Sequence, residues 1–125
     1  MTATPMISIF DDDSFVREAV GDLVESLGYK AATFPSAEDF LESGYVGETT
    51  CLITDLQMPG LNGLDLQSQL MAEGHRMPVI FITAFPEEKV RKRALRAGAV
   101  AFLSKPFEEN SLISCLKTAL RGLDS

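Results

Sequence analysis

The sequence predicts an α/β fold, a single parallel β-sheet covered by helices on both faces. Three observations carry this reading. Five short apolar runs recur along the chain, helical patterns lie between them, and the runs are almost continuously apolar, as strands buried on both faces should be. The predicted strands are Met6–Phe10, Lys30–Phe34, Cys51–Thr54, Val79–Thr83 and Ala101–Ser104, none with an internal proline. Strand-to-strand crossovers through a helix are right-handed and make neighbouring strands parallel.

The helices follow in order. Phe15, Val16, Ala19, Val20, Leu23, Val24 and Leu27 repeat with a 3.6-residue period, and Gly28 supplies a left-handed terminator. Ser36 with Asp39 forms a capping-box pattern that opens a short helix carrying Ala37, Phe40 and Leu41 and ending at Gly44. A third helix is predicted from about Gly63 to Glu73, capped by Asn62, with Leu66, Leu70 and Met71 facing inward before Gly74. In the fourth, Pro86, Glu87 and Glu88 open the helix, while Arg91, Lys92, Arg93 and Arg96 fill its later turns before Gly98. This matches the helix dipole at both ends. Glu108 and Glu109 open the fifth, which presents Leu112, Ile113, Leu116, Ala119 and Leu120 before Lys117, Arg121 and Gly122.

The chain has 125 residues, enough for one domain with one core, expected over residues 1–125 with its core at about 5–122. A net charge of -7 argues against direct nucleic-acid binding, which requires clustered cations to displace counterions from phosphates. No apolar run reaches the roughly 18 residues of a membrane span, and the first residues lack a secretory pattern, so a cytoplasmic location with no membrane contact is expected. Cys51 and Cys115 sit in apolar stretches without neighbouring ligands and read as reduced core thiols. His75 reads as an exposed loop histidine.

In open α/β sheets ligands bind beyond the carboxyl ends of the strands. Those ends here are Asp11-Asp12-Asp13, Thr54-Asp55, Thr83-Ala84 and Ser104-Lys105-Pro106. If the first strand lies beside the third, the carboxylates of Asp11, Asp12 and Asp55 converge. Two such charges about 4 Å apart repel by roughly 4 kcal/mol at an effective dielectric near 20. Such a cluster calls for a cation, and an all-oxygen donor set suits Mg²⁺, with Mn²⁺ an alternative. Adding Lys105 and a nearby hydroxyl gives a site suited to phosphoryl transfer, with Asp55 as the nucleophile. Neither GxGxxG nor GxxxxGK(S/T) is present, so a nucleotide is disfavoured as the phosphate source.

Taken together, Asp11-Asp12-Asp13, Thr54-Asp55-Leu56-Gln57-Met58-Pro59-Gly60 with Gly63 following, Thr83-Ala84, Ala97-Gly98-Ala99 and Lys105-Pro106-Phe107 resemble the receiver domains of two-component response regulators. The resemblance covers nearly the whole chain and is closest to CheY-like receivers of the FixJ and NarL type. It implies a flavodoxin-like fold with strand order 2-1-3-4-5. It also implies that Asp55 accepts a phosphoryl group from a sensor histidine kinase, and that Mg²⁺ is held by Asp12, Asp55 and the Gln57 backbone carbonyl, with Asp11 acting through water. Lys105 would pair with the acyl phosphate, and Thr83 and Phe102 would act as switch residues. The Lys105–Pro106 peptide would be cis. The surface of the fourth helix, fifth strand and fifth helix, or that of the first helix, would serve partners or a homodimer. Regulators of this type carry a helix-turn-helix output. This chain stops after the fifth helix, which reads as a stand-alone receiver or the first part of a two-domain regulator.

Phe10 stands where the family often has Val, and Gln57 and Phe85 occupy positions at which the family varies to set phosphoryl lifetime. Two other functions compete with this reading. A Mg²⁺-dependent aspartyl-phosphate phosphatase needs an acid two residues after the nucleophile, where this chain has Gln57. A phosphorylation-independent pseudo-receiver commonly lacks one of the acids or the lysine, all of which are present. The chain is therefore read as a phosphoacceptor rather than an enzyme, with at most weak self-catalysed phosphorylation from small donors and self-catalysed dephosphorylation. Taken singly, Asp13 reads as a helix cap, Asp55 as a turn residue and the run from Lys89 to Arg96 as a solvated helix face.

Overall fold

All five apolar runs form strands in the computed structural model, which describes residues 4–55, 63–75, 77–84, 87–105 and 107–121. They are β1 (Met6–Phe10), β2 (Lys30–Phe34), β3 (Cys51–Asp55), β4 (Val79–Thr83) and β5 (Ala101–Ser104), joined as one parallel sheet in the order β2-β1-β3-β4-β5. The helices are α1 (Ser14–Ser26), α2 (Ala37–Glu42), α3 (Gly63–Ala72), α4 (Glu88–Arg96) and α5 (Glu109–Arg121), with a 3-10 turn at Val46–Glu48. This is the doubly wound, flavodoxin-like arrangement, with the strand order the resemblance implies. The third strand extends one residue beyond its predicted end, which places Asp55 inside the sheet's last hydrogen-bonded level.

Strand side chains alternate between faces, and the two faces have different compositions. Ile7, Ile9, Cys51, Ile53, Ile80 and Ile82 point to one side, where Val20 and Val24 of α1 and Leu112, Leu116, Ala119 and Leu120 of α5 pack on them. Phe10, Phe34, Leu52, Val79 and Phe81 point to the other, under Phe40 of α2, Leu66 and Leu70 of α3 and Ala94 of α4. On that second face the Phe10 and Phe40 rings stack at 5.3 Å and Phe34 meets Phe40 edge-on at 5.4 Å.

Local signals explain the helix ends. Asp13 caps α1 by accepting the Phe15 N–H at 2.9 Å, and Gly28 closes it at φ +92°. Ser36 accepts the Asp39 N–H at 3.2 Å and its hydroxyl donates to the Asp39 carboxylate at 3.0 Å, the predicted capping interaction. The proposed helical positions of Asn62, Pro86 and Gly122 lie outside the described residues.

Three expectations are corrected. Phe15 heads the predicted apolar stripe of α1 yet is 81% exposed, and Ala19 is exposed as well. The first turn of α1 rises past the sheet rim, so these residues line an open groove with Val16 and Phe107 instead of meeting a strand. Met71, predicted to face inward, is 52% exposed, because Leu66 and Leu70 already fill the contact of α3 with the sheet. His75 is half-buried: its N–H donates to the Leu70 carbonyl at 2.8 Å, folding it back under the end of α3. Cys51 and Cys115 are free thiols, the first buried and the second half-buried. Among the described residues no helix is long and apolar enough to cross a membrane.

Candidate functional site

The register of β1 with β3 sets Phe10 level with Thr54, so the residues that follow, Asp11 and Asp55, leave the sheet side by side. The condition attached to the acidic cluster is therefore met. Asp11, Asp12 and Asp55 each bring a carboxylate oxygen within 4.8 Å of the others. Asp11 and Asp55 are buried and Asp12 is exposed, giving a pocket closed at its base and open to solvent on one side.

Lys105 reaches this pocket from the far side of β4. Its backbone N–H donates to the Thr83 carbonyl at 2.7 Å, anchoring the turn after β5. Its Nζ then lies 2.7 Å from Asp11 Oδ2 and donates to Asp55 Oδ2 at 2.9 Å. One ammonium thus bridges two strand ends. Burial raises the Asp11 pKa above its ordinary value, against the opposing pull of the Lys105 contact and the Asp13 N–H. For Lys105, burial alone would favour the neutral amine, but its bonds to Asp11 and Asp55 outweigh this and hold the pKa above the ordinary lysine value. Three converging carboxylates against one ammonium leave excess negative charge, and the donors are all hard oxygens. That set fits Mg²⁺.

Thr83 is fully buried at the end of β4, one residue beyond the Asp55–Ile82 pair, so its strand ends next to Asp55. Phe102 lies away from the rim, level with Phe81 on β5 and half-buried against the aromatic face. Gln57 and Pro106, and with them the expected carbonyl ligand and cis peptide, lie outside the described residues.

The motif glycine Gly63 proves to have a steric role, and one residue of this site, Arg17, escaped sequence reasoning. Gly63 opens α3 against the end of β3: a Cβ there would lie 2.8 Å from the Phe81 ring and 3.0 Å from the Asp55 carbonyl oxygen. Only glycine admits so close an approach. Arg17 on α1 donates from Nη1 to the Asp11 carbonyl at 2.6 Å. The available signal was a cation one turn into the helix that an acidic run opens.

A doubly wound parallel sheet with clustered aspartates and a bridging lysine at its carboxyl edge defines an α/β domain built around an acidic pocket. The response regulator receiver domain profile matches residues 7–117, and the chain belongs to this family, the receivers of two-component systems. It is 40% identical over 116 residues to the response regulator protein TodT of Pseudomonas putida, covering 93% of this chain and 51% of that one. It is 41% identical over 118 residues to the response regulator protein TmoT of Ectopseudomonas mendocina, covering 93% and 53%. The chain thus spans about half the length of these curated relatives. Among solved structures, response regulator StyR superposes with a TM-score of 0.87 at 40% identity, covering 95% of this chain and 60% of that one. A receiver protein from Burkholderia phymatum gives 0.80 at 39% identity, covering 94% and 95%.

Proposed function

We propose that this chain is the phosphoacceptor of a two-component phosphorelay, with Asp55 as the accepting residue. The observation that supports it most directly is the Lys105 ammonium held between Asp55 and Asp11 beside an all-oxygen cation pocket. An Asp55 carboxylate oxygen attacks the phosphorus of a phosphohistidine on a sensor kinase; the P–N bond breaks, the imidazole leaves with its electron pair, and an acyl phosphate forms on Asp55.

Asp12, Asp55 and the Gln57 carbonyl would hold Mg²⁺, with Asp11 acting through water. An ion held there would supply positive charge to offset that of the phosphoryl oxygens. Lys105 already touches Asp55, so it can follow the new phosphoryl oxygens with a short shift of its stem. Asp11, buried and bonded to the Asp13 N–H, keeps the second acidic side chain oriented towards the same point.

Thr83 would turn its hydroxyl towards the acyl phosphate, and Phe102, half-buried on the same face, would move into the space that shift leaves. The outcome would be a changed surface over α4, β5 and α5, read by an output domain, a partner or a second copy. The relatives' greater length supports an output domain in the full regulator, and the name of another relative, the transcriptional regulatory protein FixJ of Azorhizobium caulinodans, 36% identical over 114 residues, supports a transcriptional one.

The experiment is incubation with acetyl phosphate and Mg²⁺ followed by intact mass. Wild type should gain one phosphoryl group, and Asp55→Asn and an EDTA-treated sample should gain none. Equal labelling of Asp55→Asn would overturn the assignment. No labelling of wild type, under conditions that label another receiver, would favour a phosphorylation-independent interaction module.

A further inference from the structure

The turn from β1 into α1 carries two of the three pocket carboxylates, and its hydrogen bonds divide unequally between them. Asp11 is pinned through its side chain, which accepts the Asp13 N–H at 2.9 Å and meets Lys105 at 2.7 Å. Asp13 is pinned as the helix cap. Asp12 is exposed, and among the described residues its carboxylate takes no hydrogen bond or ion pair. Its direction therefore depends on its backbone.

The peptide unit that leads into Asp12 contains the Asp11 carbonyl, and that oxygen accepts the Arg17 guanidinium at 2.6 Å. A charge-assisted bond of this length fixes the plane of that peptide and, through it, the direction in which Asp12 leaves the chain. The guanidinium makes no ion pair among the described residues, so its short bond is not shared with a competing carboxylate.

We propose that Arg17 is a positioning residue for the cation pocket: by holding the Asp11 carbonyl it keeps the Asp12 carboxylate beside Asp55. The inference rests on the reading of this pocket as a Mg²⁺ site. It makes a prediction opposite in sign to simple electrostatics. A fixed positive charge near a cation site weakens cation binding, so its removal alone should tighten Mg²⁺. Loss of an orienting bond behind a metal ligand instead weakens affinity, commonly about 10- to 100-fold.

The test is Mg²⁺ titration of the unphosphorylated protein, followed through backbone amide resonances, for wild type, Arg17→Met and Arg17→Lys. Methionine keeps the apolar stem and removes both charge and donor. Positioning predicts at least about 10-fold weaker Mg²⁺ binding in Arg17→Met, partial recovery in Arg17→Lys, and displaced Asp12 and Asp13 amide signals before any Mg²⁺ is added. Unchanged or tighter binding in Arg17→Met overturns the inference, as does a lowered melting temperature with unaltered Mg²⁺ affinity. Should Arg17→Met fail to fold, Arg17→Lys decides: weaker binding supports positioning and unchanged binding refutes it. Absence of Mg²⁺ binding in wild type would instead sink the reading of the pocket itself, a failure this series separates from the other.

Discussion

Helices α4 and α5 cover opposite faces of the sheet and hold to it with unequal grip. Both begin at glutamates and end at arginines, yet α5 buries Leu112, Leu116, Ala119 and Leu120, whereas α4 buries only Ala94 and spends five of its nine positions on lysine or arginine. The difference continues beneath them. Under α5 lies an aliphatic layer of isoleucines. On the α4 side the layer is aromatic, Phe102 is only half-covered, and a cavity of about 130 Å³ opens beside Gln67, whose Nε2 donates to the Ala97 carbonyl at the end of α4. One helix belongs to the core. The other is attached by a narrow seam, and a surface that must be rearranged at modest cost is better built from the second kind.

The strongest challenge to this contrast compares one truncation under each helix. Leu116→Ala should cost about 2–5 kcal/mol in urea unfolding, since the aliphatic layer cannot close over the void. Val90→Ala, in the half-buried seam of α4, should cost less than about 1.5 kcal/mol. Equal losses would erase the distinction.

A second measurement sharpens it through pH. Burial pushes the Cys51 thiol, which lies in the aliphatic layer, up from 9.0 to about 12. A folded-state pKa above the unfolded one contributes stability that is complete below pH 9 and is lost as pH rises towards 12. At pH 10 the loss is on the order of 1 kcal/mol. Comparing unfolding at pH 8 and pH 10, Cys51→Ala should show a drop smaller than wild type by about that amount. Identical drops would mean the layer admits water to the thiol.

The smallest effect belongs to the surface of α4. Glu88 and Arg91 pair at 3.0 Å with both side chains in solvent, so Glu88→Gln should change stability by less than about 0.5 kcal/mol. A change above 1 kcal/mol, on the same order as the seam itself, would show that α4 is secured from its outer face.

The alternation of strands and helices was legible because each element carries its own period, and the caps at Ser36 and Gly28 because they act within one turn. What the sequence did not show depends on neighbours. A 3.6-residue stripe marks which face of α1 is apolar, but only the position of the sheet rim decides that Phe15 lies beyond cover. The same holds for Met71, whose place against the sheet is taken by Leu66 and Leu70. The acidic pocket was anticipated as a possibility conditional on β1 lying beside β3. The contacts of Lys105 with both Asp11 and Asp55 required the further fact of how β5 and its turn sit across β4. Arg17 was missed because its contact is to a backbone carbonyl, and a carbonyl leaves no residue-type signature in a sequence.

The stack of Phe10 on Phe40, with Phe34 set against its edge, also has an optical consequence. The chain has no tryptophan. Among the described residues the fully buried phenyl rings, Phe10, Phe40 and Phe81, all lie on the α2–α4 side of the sheet. Rings held in a fixed, asymmetric array give structured circular dichroism in the near ultraviolet, whereas an isoleucine layer absorbs nothing there. The phenylalanine fine structure of the near-ultraviolet dichroism would therefore be weighted towards the half beneath α2 and α4, whereas the tyrosine band would also report on Tyr29, packed against the isoleucine layer.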